Sequence, residues 1–196
     1  MTQRKAQSTV TGFRKTGIDI KDDRATEWLA RNLSKIKTNI KQEDFIEKGK
    51  TLVRKSLTPG KMIFYGYMPK TKDVLEFWDE FPVVIIIDPQ PGGFLGLNLH
   101  YLPPTKRAKF LNELLQYVNI PDWDTNKSKN AEFRVGYSLL KATTKLKDFR
   151  PCIKRYYYKH IMTKVSFIEP INWKTVPFFP LDKFKGASRA DIWSLA

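Results

Sequence analysis

Between Pro82 and Asp88 the chain places Val83-Val84-Ile85-Ile86-Ile87, its longest apolar run. A stretch this short and this rich in branched side chains reads as a strand covered on both faces, so any fold must supply two layers of apolar cover around it. The neighbouring segments fit that demand. Lys61 to Tyr67 (KMIFYGY) is rich in β-formers, and Phe94 to Tyr101 alternates Leu95, Leu97, Leu99 and Tyr101 with Gly96, Asn98 and His100. Pro89 to Gly93 (PQPGG) is a turn signal that joins the last two segments as a hairpin. Closely spaced antiparallel strands of this kind predict a small, strongly bent or barrel-like sheet.

Helical patterns surround this centre. Trp28, Leu29, Leu33 and Ile36 recur at helical spacing over Asp22 to Ile36, and Gln42 to Leu52 continues the pattern up to the stop at Thr58-Pro59-Gly60. After Pro103-Pro104, Lys106 to Val118 sets Phe110, Leu111, Leu114, Leu115 and Val118 on one stripe. Glu132 to Leu146 predicts another helix, and Pro151 suits the first turn of one running to about Met162. The tail adds β-rich segments at Val165 to Ile168 and Val176 to Phe179. The fold class expected is α+β: a small antiparallel sheet flanked by helices. Residues 1–16 read as a flexible basic arm, and residues 17–196 as a single domain.

Charge narrows the function. The chain has 35 Lys plus Arg against 20 Asp plus Glu, a formal charge of +15 and a sequence pI of about 9.8. Its hydrophobic content of 41% is too high for a disordered basic tail. A polyanionic partner explains such an excess better than solvation alone, because the charge is clustered. Lys141, Lys145, Lys147, Arg150, Lys154, Arg155, Lys159 and Lys164 share a window with Asp148 as its only acid, and the N-terminal arm adds Arg4, Lys5, Arg14 and Lys15. On a helix from Pro151, Lys154, Arg155, Tyr158 and Lys159 would share one face, opposite Cys152, Ile153, Tyr156, Tyr157 and His160. Cations along a rigid element with an aromatic between them suit a phosphate backbone. The plainer reading is an amphipathic helix whose outward face is basic.

Signals for chemistry are weak. His100 and His160 are far apart in sequence, and His160 reads as a core histidine. The lone Cys152 excludes an intramolecular disulfide and any Cys-based zinc cluster, and reads as a buried structural thiol. No phosphate-binding glycine loop, nucleophile elbow or base-reading module is present. A non-enzymatic protein without cofactor or metal is expected. The opening MTQRKAQSTV lacks the apolar segment of a secretory signal and no run is long enough to cross a membrane, so a reduced, intracellular protein is expected.

Two blocks carry a resemblance. In the first, Tyr65, Pro69, Lys70, Leu75, Asp79, Phe81 and Pro82 precede the run from Gly93 to Pro104 (GFLGLNLHYLPP). In the second, Pro151, Ile153, Lys154, Arg155 and Tyr156 are followed by Trp173, Pro180 and Trp193. Together they resemble the DNA end protector proteins of T-even-type tailed phages over about residues 61–193. The segment Glu76 to Asp79 is more acidic than that pattern, and the first sixty residues show no match to it. The resemblance implies a non-enzymatic virion protein that joins the filled head, binds the terminus of packaged linear double-stranded DNA and shields it from host exonuclease. It also implies portal, neck or other virion proteins as neighbours, and a location in the virion and the host cytoplasm. The rival reading is a structural phage subunit (head-completion, neck or baseplate) that uses Trp78, Trp123, Trp173 and Trp193 as interface anchors.

Overall fold

The computed structural model describes residues 50–116 and 143–196. Within them run strands β1 (Lys50–Leu52), β2 (Met62–Phe64), β3 (Trp78–Asp79), β4 (Val83–Gln90) and β5 (Gly93–Asn98). Helix α1 (Pro104–Gln116) follows, then β6 (Ile153–Tyr157), β7 (Val165–Ile168), β8 (Phe184–Lys185) and the short helix α2 (Arg189–Ser194). Six strands form one antiparallel sheet in the order β1-β7-β2-β4-β5-β6, and β3 pairs with β8 apart from it. The class is α+β, as expected.

Residues Val83 to Ile87 are wholly buried because the sheet is covered on both faces. On one face Met62, Phe64, Val83, Ile85 and Leu97 pack with Ala108, Phe110, Leu111 and Leu114 of α1, with Trp173 and Val176, and with Ile192 of α2. On the other, Ile63, Tyr65, Val84, Ile86, Phe94 and Tyr156 form a second cluster. Tyr156 is its hub: its ring centroid lies 4.9 Å from Tyr67, 5.5 Å from Phe94 and 5.7 Å from Tyr65. The two-residue loop Pro91-Gly92 closes the predicted hairpin, with Gly92 at φ 73°, a conformation that favours glycine. A register shift between Ile86 and Asp88 adds the local twist of a bulge.

The sheet bends without closing into a barrel. The chain after β6 returns to the chain after β2, where Tyr67 pairs with Ile161 and the Met68 and Met162 amides donate to the carbonyls of His160 and Gly66 at 3.0 and 2.8 Å. β1 and β6 remain its two end strands.

Four expectations need correction. The segment from Pro151 to Met162 is not a helix: a 3-10 turn (Lys147–Cys152) leads into β6, and a second one (Tyr158–His160) follows. Pairing with β5, in which Leu97 faces Ile153 and Phe94 faces Tyr156, suits an Ile- and Tyr-rich segment better than a helix does. Val176 to Phe179 is a 3-10 turn (Val176–Phe178) rather than a strand, since Pro177 has no amide to give a ladder. The end of the predicted Gln42 to Leu52 helix, Lys50 to Leu52, is β1, drawn into the sheet by β7. The strand expected to reach Tyr101 stops at Asn98, whose Oδ1 accepts from the His100 amide at 3.0 Å and caps the turn Leu99–Tyr101.

The helix expected from Lys106 is present as α1, with Phe110, Leu111 and Leu114 buried. The N-terminal arm, the helix from Asp22 and the rest of Gln42 to Leu52 lie outside the described residues, as do Val118 and Glu132 to Ala142.

Candidate nucleic-acid interface

Replacing the helix by a strand redistributes the expected cations. In β6 neighbouring side chains alternate between faces, so Lys154 and Arg155 leave the strand in opposite directions, yet because β6 is an end strand both reach the cleft at its edge. Lys154 is half-buried, with Nζ 4.5 Å from the centroid of the Tyr101 ring. Burial lowers the pKa of its ammonium, and no carboxylate of a described residue lies within ion-pair distance of it. Arg155 is exposed. Its guanidinium sits 4.9 Å from the Tyr157 ring centroid and donates to the Pro91 carbonyl at 3.1 Å, which ties β6 to the hairpin tip.

Both side chains border a cleft of about 380 Å³. Its walls are largely aromatic, with Phe77, Trp78, Tyr101 and Tyr157 among them, and Lys70 adds a third cation. Tyr101 is a fixed ledge. Its ring packs edge-on against Phe184 at 5.2 Å, and burial together with the charge of Asp79 raises its phenol well above the usual tyrosine range. Asp79 is the carboxylate among the cleft residues, and its oxygens are occupied. Oδ2 accepts from Asn98 Nδ2 at 3.0 Å and lies 2.8 Å from His100 Nδ1, while Oδ1 accepts from the Phe81 amide at 3.1 Å.

Tyr158 and Lys159 belong to a second hollow of about 310 Å³, shared with Arg54, Leu57, Ile161 and Val165. The Arg54 guanidinium lies 4.2 Å from the Tyr158 ring centroid. Lys145, Lys147, Arg150 and Lys164 are exposed but line neither hollow. Lys141, Arg4, Lys5, Arg14 and Lys15 lie outside the described residues. Among the described candidates, then, two gather at the cleft, two at the second hollow and four stand apart.

Residues that sequence reasoning passed over complete both sites. Lys70, Phe77 and Tyr101 line the cleft and Arg54 the second hollow. Lys70 and Tyr101 stand inside the resemblance block, yet nothing in their spacing joins them to β6. Trp78, expected as a protein-interface anchor, is a half-buried wall of the cleft. Trp173 cannot anchor a partner, because it is wholly buried and donates to the Ile168 carbonyl at 3.0 Å. Trp193 is half-buried and donates to the His100 carbonyl at 2.9 Å.

The remaining candidates offer little chemistry. Cys152 is buried as expected, and burial pushes its thiol up to about 12. His160 is half-buried against Tyr157 rather than in the core. Among the described residues no group of His, Cys, Asp and Glu side chains could hold a metal ion, and no helix is long and apolar enough to cross a membrane.

The family model described as Phage T4 terminal DNA protecting protein matches residues 2–194, so the match extends through the first sixty residues, where none was expected. No curated protein and no solved structure matches the chain.

Proposed function

The chain belongs to the family of the phage T4 terminal DNA protecting protein, and from that premise we propose that it binds the terminus of linear double-stranded DNA without sequence specificity and without catalysis, shielding the end from host exonuclease. The observation that carries this reading is a half-buried cation, Lys154, that borders an aromatic cleft with no carboxylate of a described residue paired to it. A DNA end differs from the rest of a duplex in offering an open base face beside its phosphates, and aromatic rings next to cations complement both.

In this reading Lys154, Arg155 and Lys70 act at the end itself. Tyr158 and Lys159, with Arg54, form a second contact. Lys145, Lys147, Arg150, Lys164 and Lys141 supply the diffuse field that draws in DNA, and Arg4, Lys5, Arg14 and Lys15 extend it. The site of action is the virion and the cytoplasm of the host, where portal, neck or other virion proteins are the expected neighbours. A purely structural phage subunit is the second reading, supported by apolar side chains left in water, Val74 at 83% and Ile171 at 61% exposure. The burial of Trp173 weakens that reading by removing one of its anchors.

An exonuclease challenge tests the proposal. Linear DNA saturated with the protein should resist digestion from its ends while an internal restriction site is still cut. Unchanged digestion at saturating protein would contradict it.

A further inference from the structure

The cleft beside β6, at about 380 Å³, is near the lower end of pockets that take small ligands (~300–1,000 Å³). A base pair with both of its backbones is too large for that space, whereas one nucleotide suits it. The half-buried rings of Trp78 and Tyr157 offer apolar surface to a base of any identity, while Tyr101, buried beneath Lys154, forms the floor. Lys154 offers the complementary group for a phosphate. Its ammonium has lost part of its hydration, and it lies against the face of Tyr101 rather than a carboxylate of a described residue. A partly desolvated cation in that state gains more from an incoming anion than a hydrated surface lysine does. Lys70 and Arg155 line the same cleft and add positive charge, and Asp79 already accepts from Asn98 and Phe81.

Resting on the end-binding reading, we propose that this cleft is a terminal-nucleotide pocket: it takes one unpaired nucleotide at the DNA end, its base against Trp78 and Tyr157 and its phosphate at Lys154. Protection then acts on the strand terminus itself, because the nucleotide an exonuclease must engage is held inside the protein. It also follows that a frayed or overhanging end binds better than a blunt one, whatever the base.

The test uses the full chain and labelled duplexes of one core sequence: blunt, bearing a one-nucleotide overhang on either strand, or closed by hairpins at both ends. The overhang duplex should bind about tenfold tighter than the blunt one, a gain in line with stacking one base on aromatic rings. A 2-aminopurine placed as the overhanging base should lose fluorescence on binding, a readout that needs no variant. Lys154→Gln should weaken both duplexes but the overhang form about tenfold more, so that the overhang preference is lost, and Lys154→Arg should restore it. Lys147→Gln, outside the cleft, should weaken both forms alike. Equal binding of overhang and blunt duplexes with an unquenched 2-aminopurine overturns the pocket while leaving end binding intact. Equal binding of open and hairpin-closed duplexes overturns the end-binding reading on which the pocket rests.

Discussion

Asp79 Oδ2 and His100 Nδ1 lie 2.8 Å apart with both side chains buried, and each is the chain neighbour of a wall of the cleft, Trp78 on one side and Tyr101 on the other. The interaction therefore joins two segments that the sequence keeps apart. Asn98, at the end of β5, shares the same oxygen. Removing the carboxylate leaves the Asn98 amide and the His100 ring without that partner. Asp79→Ala should reduce unfolding free energy by about 3 kcal/mol, as expected for a broken buried polar network. Asp79→Asn, which keeps an acceptor, should lose clearly less. Urea unfolding monitored by tryptophan fluorescence measures both.

Gly93 faces Tyr157 in the β5–β6 ladder, and a Cβ there would overlap the Tyr156 carbonyl. Backbone gives way less readily than a side-chain tip, so Gly93→Ala should move β6 away from β5 at a stability loss of about 3 kcal/mol. Because Lys154 and Arg155 ride on β6, DNA-end affinity should fall with it. Gly92→Ala makes the contrast: nothing crowds its position, and the only strain comes from its φ of 73°. Thermal unfolding and end binding of the two variants, measured side by side, check this.

The central strands were legible in the sequence because a single local rule governs them. Val83 to Ile87 reads as doubly buried, Leu95, Leu97 and Leu99 alternate, and Pro91-Gly92 can do little except turn. The same holds for α1, whose stripe of Phe110, Leu111 and Leu114 fits one period. β6 was not legible. Its Ile-Lys-Arg-Tyr-Tyr sequence fits a helix face as well as a strand, and the choice is made by β5, far away in the chain. The cleft was hidden for the same reason: Lys70, Trp78, Tyr101 and Lys154 come from separate segments, and only the bent sheet and the Asp79–His100 pair bring them together.

Burial lowers the pKa of Lys154, so the folded protein releases this proton at a lower pH than the unfolded chain does. Between the two values the unfolded chain holds more protons, and stability rises with pH across that window. A bound phosphate favours the charged form, so binding takes up a proton there and affinity falls as pH rises. End affinity should therefore decline on the alkaline side before an ordinary lysine titrates, at ~10.4. Lys154→Arg keeps its charge throughout and should flatten that decline. Anisotropy titrations across the alkaline range test the difference.

Lys154, Arg155 and Lys159 do not form one helical stripe, but they still place charge at both hollows. Replacing all three with Glu should abolish binding while the protein remains folded, since Arg155 and Lys159 are exposed and Lys154 has no ion pair to a described residue that could break. Milder single changes, Arg155→Gln or Lys159→Gln, should each reduce the slope of log affinity against log salt by about 1 for every phosphate that the side chain neutralises. An unchanged slope would remove that residue from the interface.

The most direct measurement is a competition between linear and covalently closed circular DNA of identical sequence for a limiting amount of the protein. The linear form should win, and its advantage should scale with the number of ends rather than with length. Equal competition per base pair would contradict end binding and reduce the protein to a general DNA-binding component of the particle.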